Sequence, residues 1–241
     1  MGAEQSKKVI RREDKMISVI ITCAGNHTRF GKNKLLLDLE GKPVFIRTIE
    51  CFKKSKKVDE IIVAVRKNDQ KVYQKHLRRF NLRVRLVEGG AKRYISAYNG
   101  LKISQGDYIL VHDGARPLVT SQLIDQLADE VVKNEAVMLA LGASTCIKYV
   151  EKDYVKKCLD RENTWLGQTP QAFKRRIILN AYKKAIDNEK FRGMDDCELV
   201  NKLGTEVKVI PGNKTNIKIT NPSDLIIARH FFKMLKRGQD V

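Results

Sequence analysis

The sequence predicts an α/β protein built on a doubly wound, mostly parallel β-sheet, with a projecting β-hairpin arm. Three observations carry this prediction. Short apolar runs rich in β-branched residues recur along the chain, helix-like segments separate most of them, and one stretch departs from that rhythm. Alternating strands and helices are typical of a parallel sheet that is covered by helices on both faces.

The predicted strands are short and apolar, and the first of them runs directly into Ala24, Gly25 and Asn26. Such runs are typical of buried parallel strands. They cover residues 17–23, 60–65, 84–87, 107–112, 136–141 and 207–210. In the predicted helices the apolar residues recur every three or four positions. These helices cover residues 43–54, 69–80, 94–103 and 121–134.

The departure from this alternation is a pair of strand-like segments, 144–150 and 154–159, on either side of a predicted turn at 151–153. This pattern predicts a hairpin arm over about residues 143–163. A two-stranded hairpin that stands away from a compact sheet is only marginally stable alone. A second copy of the chain is the simplest partner for it, so we expect a homodimer formed through the arm.

Length and composition favour one domain over residues 16–233, between a basic N-terminal tail (1–15) and a C-terminal tail (234–241). No apolar run of about 18 residues occurs, and the first fifteen residues lack the apolar core of a secretory signal. We therefore expect a cytoplasmic protein without a membrane partner. The formal charge of +19 would suit nucleic acid, but the basic residues are dispersed, so we expect no nucleic-acid partner.

The five cysteines include no Cys-x-x-Cys pair, and the four histidines are equally scattered. This spacing indicates neither a disulfide framework nor a zinc site. Any metal is therefore left to oxygen ligands, and Mg²⁺ is the candidate.

The loop after the first strand combines small residues with cations. Gly25 permits close approach of backbone N–H groups to a triphosphate, and Arg29 and Lys34 supply positive charge. The common phosphate-loop and dinucleotide signatures are absent. The alternative is an ordinary basic strand-to-helix turn in which the glycine serves only the geometry.

A second group of polar residues follows the predicted strand 107–112. Asp113 at the carboxyl end of a strand suits a Mg²⁺ ion that bridges phosphates, and Arg116 suits a further phosphate. The alternative is that Asp113 caps the next helix and pairs with Arg116.

Six segments, in order along residues 16–232, carry a family resemblance. They are Ala24-Gly25 with Arg29 and Lys34, Gly89-Gly90 through Arg93 to Ser96, His112-Asp113-Gly114-Ala115-Arg116-Pro117, Asp160-Arg161 with Gln168-Thr169-Pro170-Gln171, Asp195-Asp196, and Asn216 to Thr220. With these segments the chain resembles the cytidylyltransferases that activate polyol phosphates, above all the 2-C-methyl-D-erythritol 4-phosphate cytidylyltransferases of non-mevalonate isoprenoid synthesis. The resemblance implies a Rossmann-like nucleotidyltransferase fold.

The resemblance implies a role for each matching position. The catalytic cations that stabilise the α-phosphate are Arg29, Lys34 and Lys218. The nucleotide-binding positions are Ala24, Gly25, Gly89, Gly90, Ser96 and Gly114. Asp113 lies between magnesium-CTP and the sugar phosphate, while Arg116, Arg161 and Thr169 surround the polyol phosphate, with the arginine of the arm coming from the neighbouring subunit.

The implied reaction is an in-line attack by the polyol phosphate on the α-phosphorus of CTP, with pyrophosphate leaving. A phosphate dianion needs no side-chain base, so catalysis rests on positioning and on cations. This agrees with the absence of a Ser/His or Cys/His constellation.

Three departures from the family pattern keep other functions open. His27 replaces a usual glycine before Arg29, Thr145-Cys146 stand where Asp-Thr is usual, and Gly167 to Gln171 is equally similar to the ribitol 5-phosphate cytidylyltransferases of cell-wall synthesis. Ribitol 5-phosphate is therefore the alternative acceptor. More remote alternatives are a non-catalytic nucleotide-binding protein and a nucleic-acid-binding protein.

Overall fold

The structure is a computed structural model that describes residues 15–25, 33–188, 190–191 and 193–238. The predicted N-terminal tail, apart from Lys15, lies outside the described residues, as do His27 and Arg29.

Strands and helices alternate along most of the chain. The strands are β1 (Ile17–Thr22), β2 (Asp38–Leu39), β3 (Lys42–Pro43), β4 (Glu60–Val65), β5 (Arg85–Glu88), β6 (Tyr108–Asp113), β7 (Ala136–Gly142), β8 (Lys148–Glu151), β9 (Tyr154–Cys158), β10 (Trp165–Lys174) and β11 (Lys208–Pro211). The helices are α1 (Val44–Lys53), α2 (Gln70–Arg79), α3 (Arg93–Ile103), α4 (Ser121–Asn134), α5 (Arg175–Asp187), α6 (Asp196–Asn201) and α7 (Pro222–Lys236).

The central sheet has seven strands in the order β11-β7-β10-β6-β1-β4-β5. All neighbouring strands are parallel except β10, which is antiparallel to both β6 and β7. The predicted fold class, an α/β protein with a mostly parallel sheet and a hairpin, is confirmed. The long strand β10 was not predicted.

Successive residues of β1 pack into two separate apolar layers. Val19 and Ile21 contribute to the layer that contains α1, α2 and α4, whereas Ile20 contributes to the layer that contains α3 and α5. Side chains alternate between the faces of a strand, so a strand buried on both faces is mostly apolar unless its polar side chains find hydrogen-bond partners. This apolar character explains why the sequence revealed the central strands.

The hairpin arm leaves the sheet between the end of β7 and the start of β10. Its strands, β8 and β9, pair only with each other and are exposed along both faces. Lys152 and Asp153, which join them, both have positive φ (48° and 66°), as the central residues of a type I′ turn do. The first arm strand begins at Lys148, four residues later than the start of the predicted segment.

The last helix, α7, extends to Lys236 and therefore includes the first three residues of the predicted C-terminal tail. Asp224 and Asn221 form a capping box at its start, which fixes the end of the preceding loop. This loop carries Lys218. Within the described residues, no helix is both long enough and apolar enough to cross a membrane.

Candidate active site

A cavity of about 340 Å³ opens at the carboxyl ends of β1 and β6, beside the N-terminus of α3. In open α/β sheets, ligands bind at this edge. Most of the predicted site residues line the cavity, namely Ala24, Gly25, Lys34, Gly90, Ser96, Asp113, Gly114 and Lys218. The structure thus brings together residues that are spread over most of the chain.

Glycines shape the end of the cavity next to β5. Gly89 lies against Ala24 and Ser96 so closely that a Cβ atom at Gly89 would overlap the Ala24 side chain. The Gly90 N–H donates to the Ser96 hydroxyl oxygen at 3.0 Å. Ser96 itself is buried in the first turn of α3. Backbone and small side chains therefore form this end of the cavity, where Ala24, Gly90 and Ser96 are part of the lining.

Asp113, at the end of β6, is the centre of charge in the cavity. Its carboxylate accepts a hydrogen bond from Arg93 Nε at 2.9 Å and pairs with Lys218 Nζ at 2.8 Å and Arg116 Nε at 3.6 Å. Burial alone would raise the pKa of this carboxyl, but the three cations lower it well below its usual range. Asp113 is therefore ionised and holds three cations around one point.

Arg93 also lines the cavity, although no role was predicted for it from the sequence. Its Nη1 donates to Asp196 at 2.5 Å while its Nε binds Asp113, so it bridges two buried carboxylates. Asp196 also accepts a hydrogen bond from the Tyr182 hydroxyl at 2.8 Å. Burial opposes the charge on Arg93, yet the two carboxylates raise its pKa above its usual value. Arg93 therefore stays charged at the wall of the cavity.

The acidic pair Asp195-Asp196 has two different roles. Asp195 caps α6, since its carboxylate accepts the Glu198 N–H at 2.9 Å. Asp196 is buried and forms the ion pair with Arg93. Asp195 thus serves the start of the helix, whereas Asp196 serves Arg93.

A buried chain of hydrogen bonds lies beneath Asp113. The Asp113 N–H donates to the Thr169 hydroxyl at 3.1 Å, and that hydroxyl bonds to His112 Nδ1 at 3.0 Å. His112 Nε2 lies 3.0 Å from the Arg116 carbonyl oxygen, so we assign the neutral ring with its proton on Nε2. Burial lowers the pKa of His112 to about 3, which keeps this ring neutral.

Arg116 and Thr169, predicted to contact the polyol phosphate, are largely engaged within the protein. Arg116 donates to the carbonyl oxygens of Asn216 at 2.7 Å and Gly167 at 3.4 Å. The Thr169 hydroxyl belongs to the buried chain described above. Their contact with substrate therefore stays a prediction.

Gln168 and Gln171 lie within β10, and their side chains hydrogen-bond to two other parts of the chain. Gln168 exchanges hydrogen bonds with Asn213 and Asn216 in the loop that carries Lys218. Gln171 accepts from the Cys197 N–H at 3.1 Å and donates to Asp195 at 2.8 Å. Gln168 thus holds the loop that carries Lys218, and Gln171 holds the N-terminus of α6.

Arg161 lies on the exposed arm and does not line the cavity of its own chain. Lys34 lines the cavity from a short 3₁₀ helix whose first turn is capped by Asn33. The third predicted catalytic cation, Arg29, is outside the described residues.

The chain matches known proteins over nearly its full length. The family model of 2-C-methyl-D-erythritol 4-phosphate cytidylyltransferase (IspD) matches residues 17–234. The enzyme of that name from Bacillus velezensis is 39% identical over 221 residues, which cover 89% of this chain and 95% of that protein. The Clostridioides difficile enzyme is 35% identical over 230 residues, or 93% and 97%.

Solved structures show the same similarity. The 4-diphosphocytidyl-2C-methyl-D-erythritol synthase of Anaerococcus prevotii superimposes with a TM-score of 0.81 at 32% identity, over 91% of this chain and 96% of that one. For the Thermus thermophilus cytidylyltransferase the TM-score is 0.77 at 28% identity, over 90% and 99%. The chain therefore belongs to the 2-C-methyl-D-erythritol 4-phosphate cytidylyltransferase family.

Proposed function

We propose that this protein transfers CMP from CTP to 2-C-methyl-D-erythritol 4-phosphate and releases pyrophosphate. The observation that carries the proposal is the cavity at the ends of β1 and β6, which Lys34, Lys218 and Gly90 line in a member of this family. The end of the cavity at Gly90 would hold the cytosine ring, and the lysines would hold the triphosphate. The reaction belongs to isoprenoid biosynthesis.

The residues of the cavity would act by positioning charge. A phosphate oxygen of the acceptor attacks the α-phosphorus of CTP, and the bond from that phosphorus to the β-phosphate oxygen breaks. Lys34 and Lys218, with Arg29 from the sequence, would stabilise the charge that develops on the α-phosphate. The acceptor phosphate is already a nucleophile, so none of these side chains has to remove a proton.

Mg²⁺ is the metal that we propose for this site. Among the described residues, no cluster of three or more His, Cys, Asp or Glu side chains could hold a metal. Of the described residues that line the cavity, only Asp113 has a carboxylate side chain. Mg²⁺ usually keeps several waters and binds one or two carboxylates together with substrate phosphates. The site therefore fits a metal that arrives with CTP, where it would neutralise phosphate charge.

The second candidate function differs only in the acceptor of CMP, which would be ribitol 5-phosphate. The segment Gly167 to Gln171 also resembles the ribitol 5-phosphate enzymes, but Gln168 and Gln171 bind loops of this protein. That segment therefore gives no separate support for ribitol.

The proposed assembly is a homodimer formed through the arm. Large apolar side chains on the arm and at its base are exposed: Tyr149, Val150, Tyr154, Val155, Trp165 and Leu166. A surface of this kind is typical of a protein interface. Because Arg161 is on the arm and does not line its own cavity, we propose that it binds the polyol phosphate of the neighbouring subunit.

We also propose a cytoplasmic location. All five cysteines are free thiols, as is usual for proteins of a reducing compartment.

Pyrophosphate release tests the proposed reaction. CTP and Mg²⁺ are offered with each polyol phosphate separately, with ATP, GTP and UTP as nucleotide controls and with EDTA as a metal control. We expect release only with CTP, Mg²⁺ and methylerythritol phosphate, together with the matching CDP-polyol by mass spectrometry. Release only with ribitol phosphate would change the acceptor, and no release with either polyol would contradict the proposed activity.

Subunit mixing tests the shared site. Arg161→Ala and Lys34→Ala chains are each assayed alone and after subunit exchange, at polyol phosphate concentrations below KM. If Arg161 serves the neighbouring cavity, each mixed dimer has one intact site, and about one quarter of the wild-type activity should return. No recovery after demonstrated exchange would mean that each subunit has a self-contained site.

A further inference from the structure

A cluster of two thiols and one amine lies at the base of the arm. Lys148 Nζ is 3.1 Å from the sulfur of Cys146 and 2.9 Å from the sulfur of Cys158. All three side chains are exposed. Lys148 and Cys158 are paired across the β8-β9 ladder, and Cys146 lies two residues before Lys148.

The two sulfurs are near enough to react with each other. Because both contact the same nitrogen, they lie within about 6 Å of one another. Cys146 precedes β8 and takes no part in the pairing of β8 with β9, although the Leu159 N–H donates to the carbonyl oxygen of its neighbour Ile147. An S–S bond of about 2 Å therefore requires the Cys146 side chain and backbone to move toward Cys158.

The chemistry of the cluster also favours reaction. The hydrogen bond from Lys148 and its positive charge lower the pKa of the Cys158 thiol, so more of it is thiolate at neutral pH. The thiolate is the form that attacks peroxides and disulfides. An exposed thiol of lowered pKa beside a second thiol is typical of redox-sensitive cysteines.

The other three cysteines differ from this pair. Cys23 and Cys197 are buried, and burial raises the pKa of each thiol. Burial raises the pKa of Cys51 to about 12, and its thiol donates to two backbone carbonyls. Oxidation should therefore select the thiols of the arm.

We infer that Cys146 and Cys158 are a redox pair that hydrogen peroxide converts into an intrachain disulfide across the arm. The Cys158 thiolate attacks one peroxide oxygen, which gives a sulfenic acid and hydroxide. The Cys146 thiol then attacks the Cys158 sulfur and displaces the hydroxyl group as water. Two thiols thus lose two electrons and two protons, and one peroxide becomes two waters. A dithiol reductant reverses the reaction by thiol–disulfide exchange.

Lys148 is the residue that makes this pair selective. Its replacement by Gln keeps a polar side chain that is one atom shorter, and it removes the positive charge beside both sulfurs. Lys157→Gln is the matched control, since Lys157 precedes Cys158 and so projects from the opposite face of β9. Cys146→Ser and Cys158→Ser each leave one thiol of the pair.

Peroxide titration of the reduced full-length chain tests the inference, with free thiols counted after denaturation and linked peptides identified by mass spectrometry. We expect one equivalent of peroxide to remove two thiols per chain, to join the peptides of Cys146 and Cys158, and to be reversed by dithiothreitol. Neither Ser variant should form the link. Lys148→Gln should slow oxidation roughly threefold or more, and Lys157→Gln should leave its rate unchanged.

Three results would overturn the inference. The first is disulfide formation between two chains, which non-reducing electrophoresis detects. The second is oxidation of all five cysteines at similar rates. The third is an equal rate for the Lys148→Gln and Lys157→Gln variants, because the rate would then not depend on the amine beside the sulfurs.

Discussion

His112 lies under the candidate active site, and its burial predicts a specific dependence of stability on pH. In the folded protein its pKa is about 3, whereas the ordinary value is 6.5. Between these two values the unfolded chain binds a proton at His112 and the folded protein does not. Falling pH therefore favours unfolding. The contribution of His112 to stability is fully present above pH 6.5 and is lost as the pH falls toward 3.

The magnitude follows from proton linkage. One proton of difference changes the free energy of unfolding by about 1.4 kcal/mol per pH unit. Integrated from pH 7 to pH 5, the loss from His112 is about 2 kcal/mol. This amount hardly depends on the folded pKa as long as that pKa is below about 4. With a urea slope of about 2 kcal/mol per molar, the unfolding midpoint would fall by about 1 M.

The assay compares urea unfolding of the wild type and of His112→Gln at pH 7, 6 and 5. Gln keeps an N–H group that can reach the Arg116 carbonyl but does not titrate. The variant will be less stable at every pH, so only the change with pH is compared. We expect the difference between the two proteins to shrink by about 2 kcal/mol from pH 7 to pH 5. His230→Gln, at an exposed histidine, is the control that should follow the wild type. An unchanged pH dependence in His112→Gln would refute the reasoning.

Three further predictions concern the cavity itself. Lys218→Ala should lower kcat by about 10²- to 10³-fold while stability changes little. Lys214→Ala, in the same loop, is the control and should keep wild-type turnover. Normal turnover in Lys218→Ala would mean that Lys218 does not stabilise the charge on the α-phosphate. Gly89→Ala should raise KM for CTP by about tenfold or more, because the new Cβ would overlap Ala24, which lines the cavity. An unchanged KM would mean that the base binds away from Ala24. Asp113→Asn should lower the free energy of unfolding by about 3–5 kcal/mol, because three cations lose their common partner. An unchanged free energy in urea unfolding would mean that Asp113 does not hold these cations together.

The predicted central strands, such as β1 and β6, could be recognised because they are buried on both faces and are therefore mostly apolar. Strand β10 was missed because it carries Gly167, Gln168, Thr169, Pro170 and Gln171, which are typical of loops. Its polar side chains can be buried since they hydrogen-bond to loops far away in the sequence. Nothing local to the strand reveals those partners.

The same limit explains the outcome at the site. Residues at or just after the carboxyl ends of strands, such as Gly25 and Asp113, lie in the cavity as predicted, because the ends of parallel strands meet at one edge of the sheet. The role of Arg93 was missed, because it depends on Asp196, 103 positions later in the chain. Its place after two glycines at the start of α3 was the one local signal.

The contacts of Asp113 give a reason for a carboxylate in a cavity that we propose to bind phosphates. Three cations surround this carboxylate: Arg93, Arg116 and Lys218. Without it, three positive charges would repel one another and would have to be brought together when CTP binds. Arg93 and Arg116 have other hydrogen-bond partners that fix them in place. The Lys218 side chain is 41% exposed, and within the part of the chain that the structure describes it bonds to Asp113 alone. Incoming phosphates can therefore compete for Lys218 with little rearrangement of the rest. On this argument Asp113 keeps the positive charge arranged in advance, which is the condition under which electrostatic catalysis is most effective.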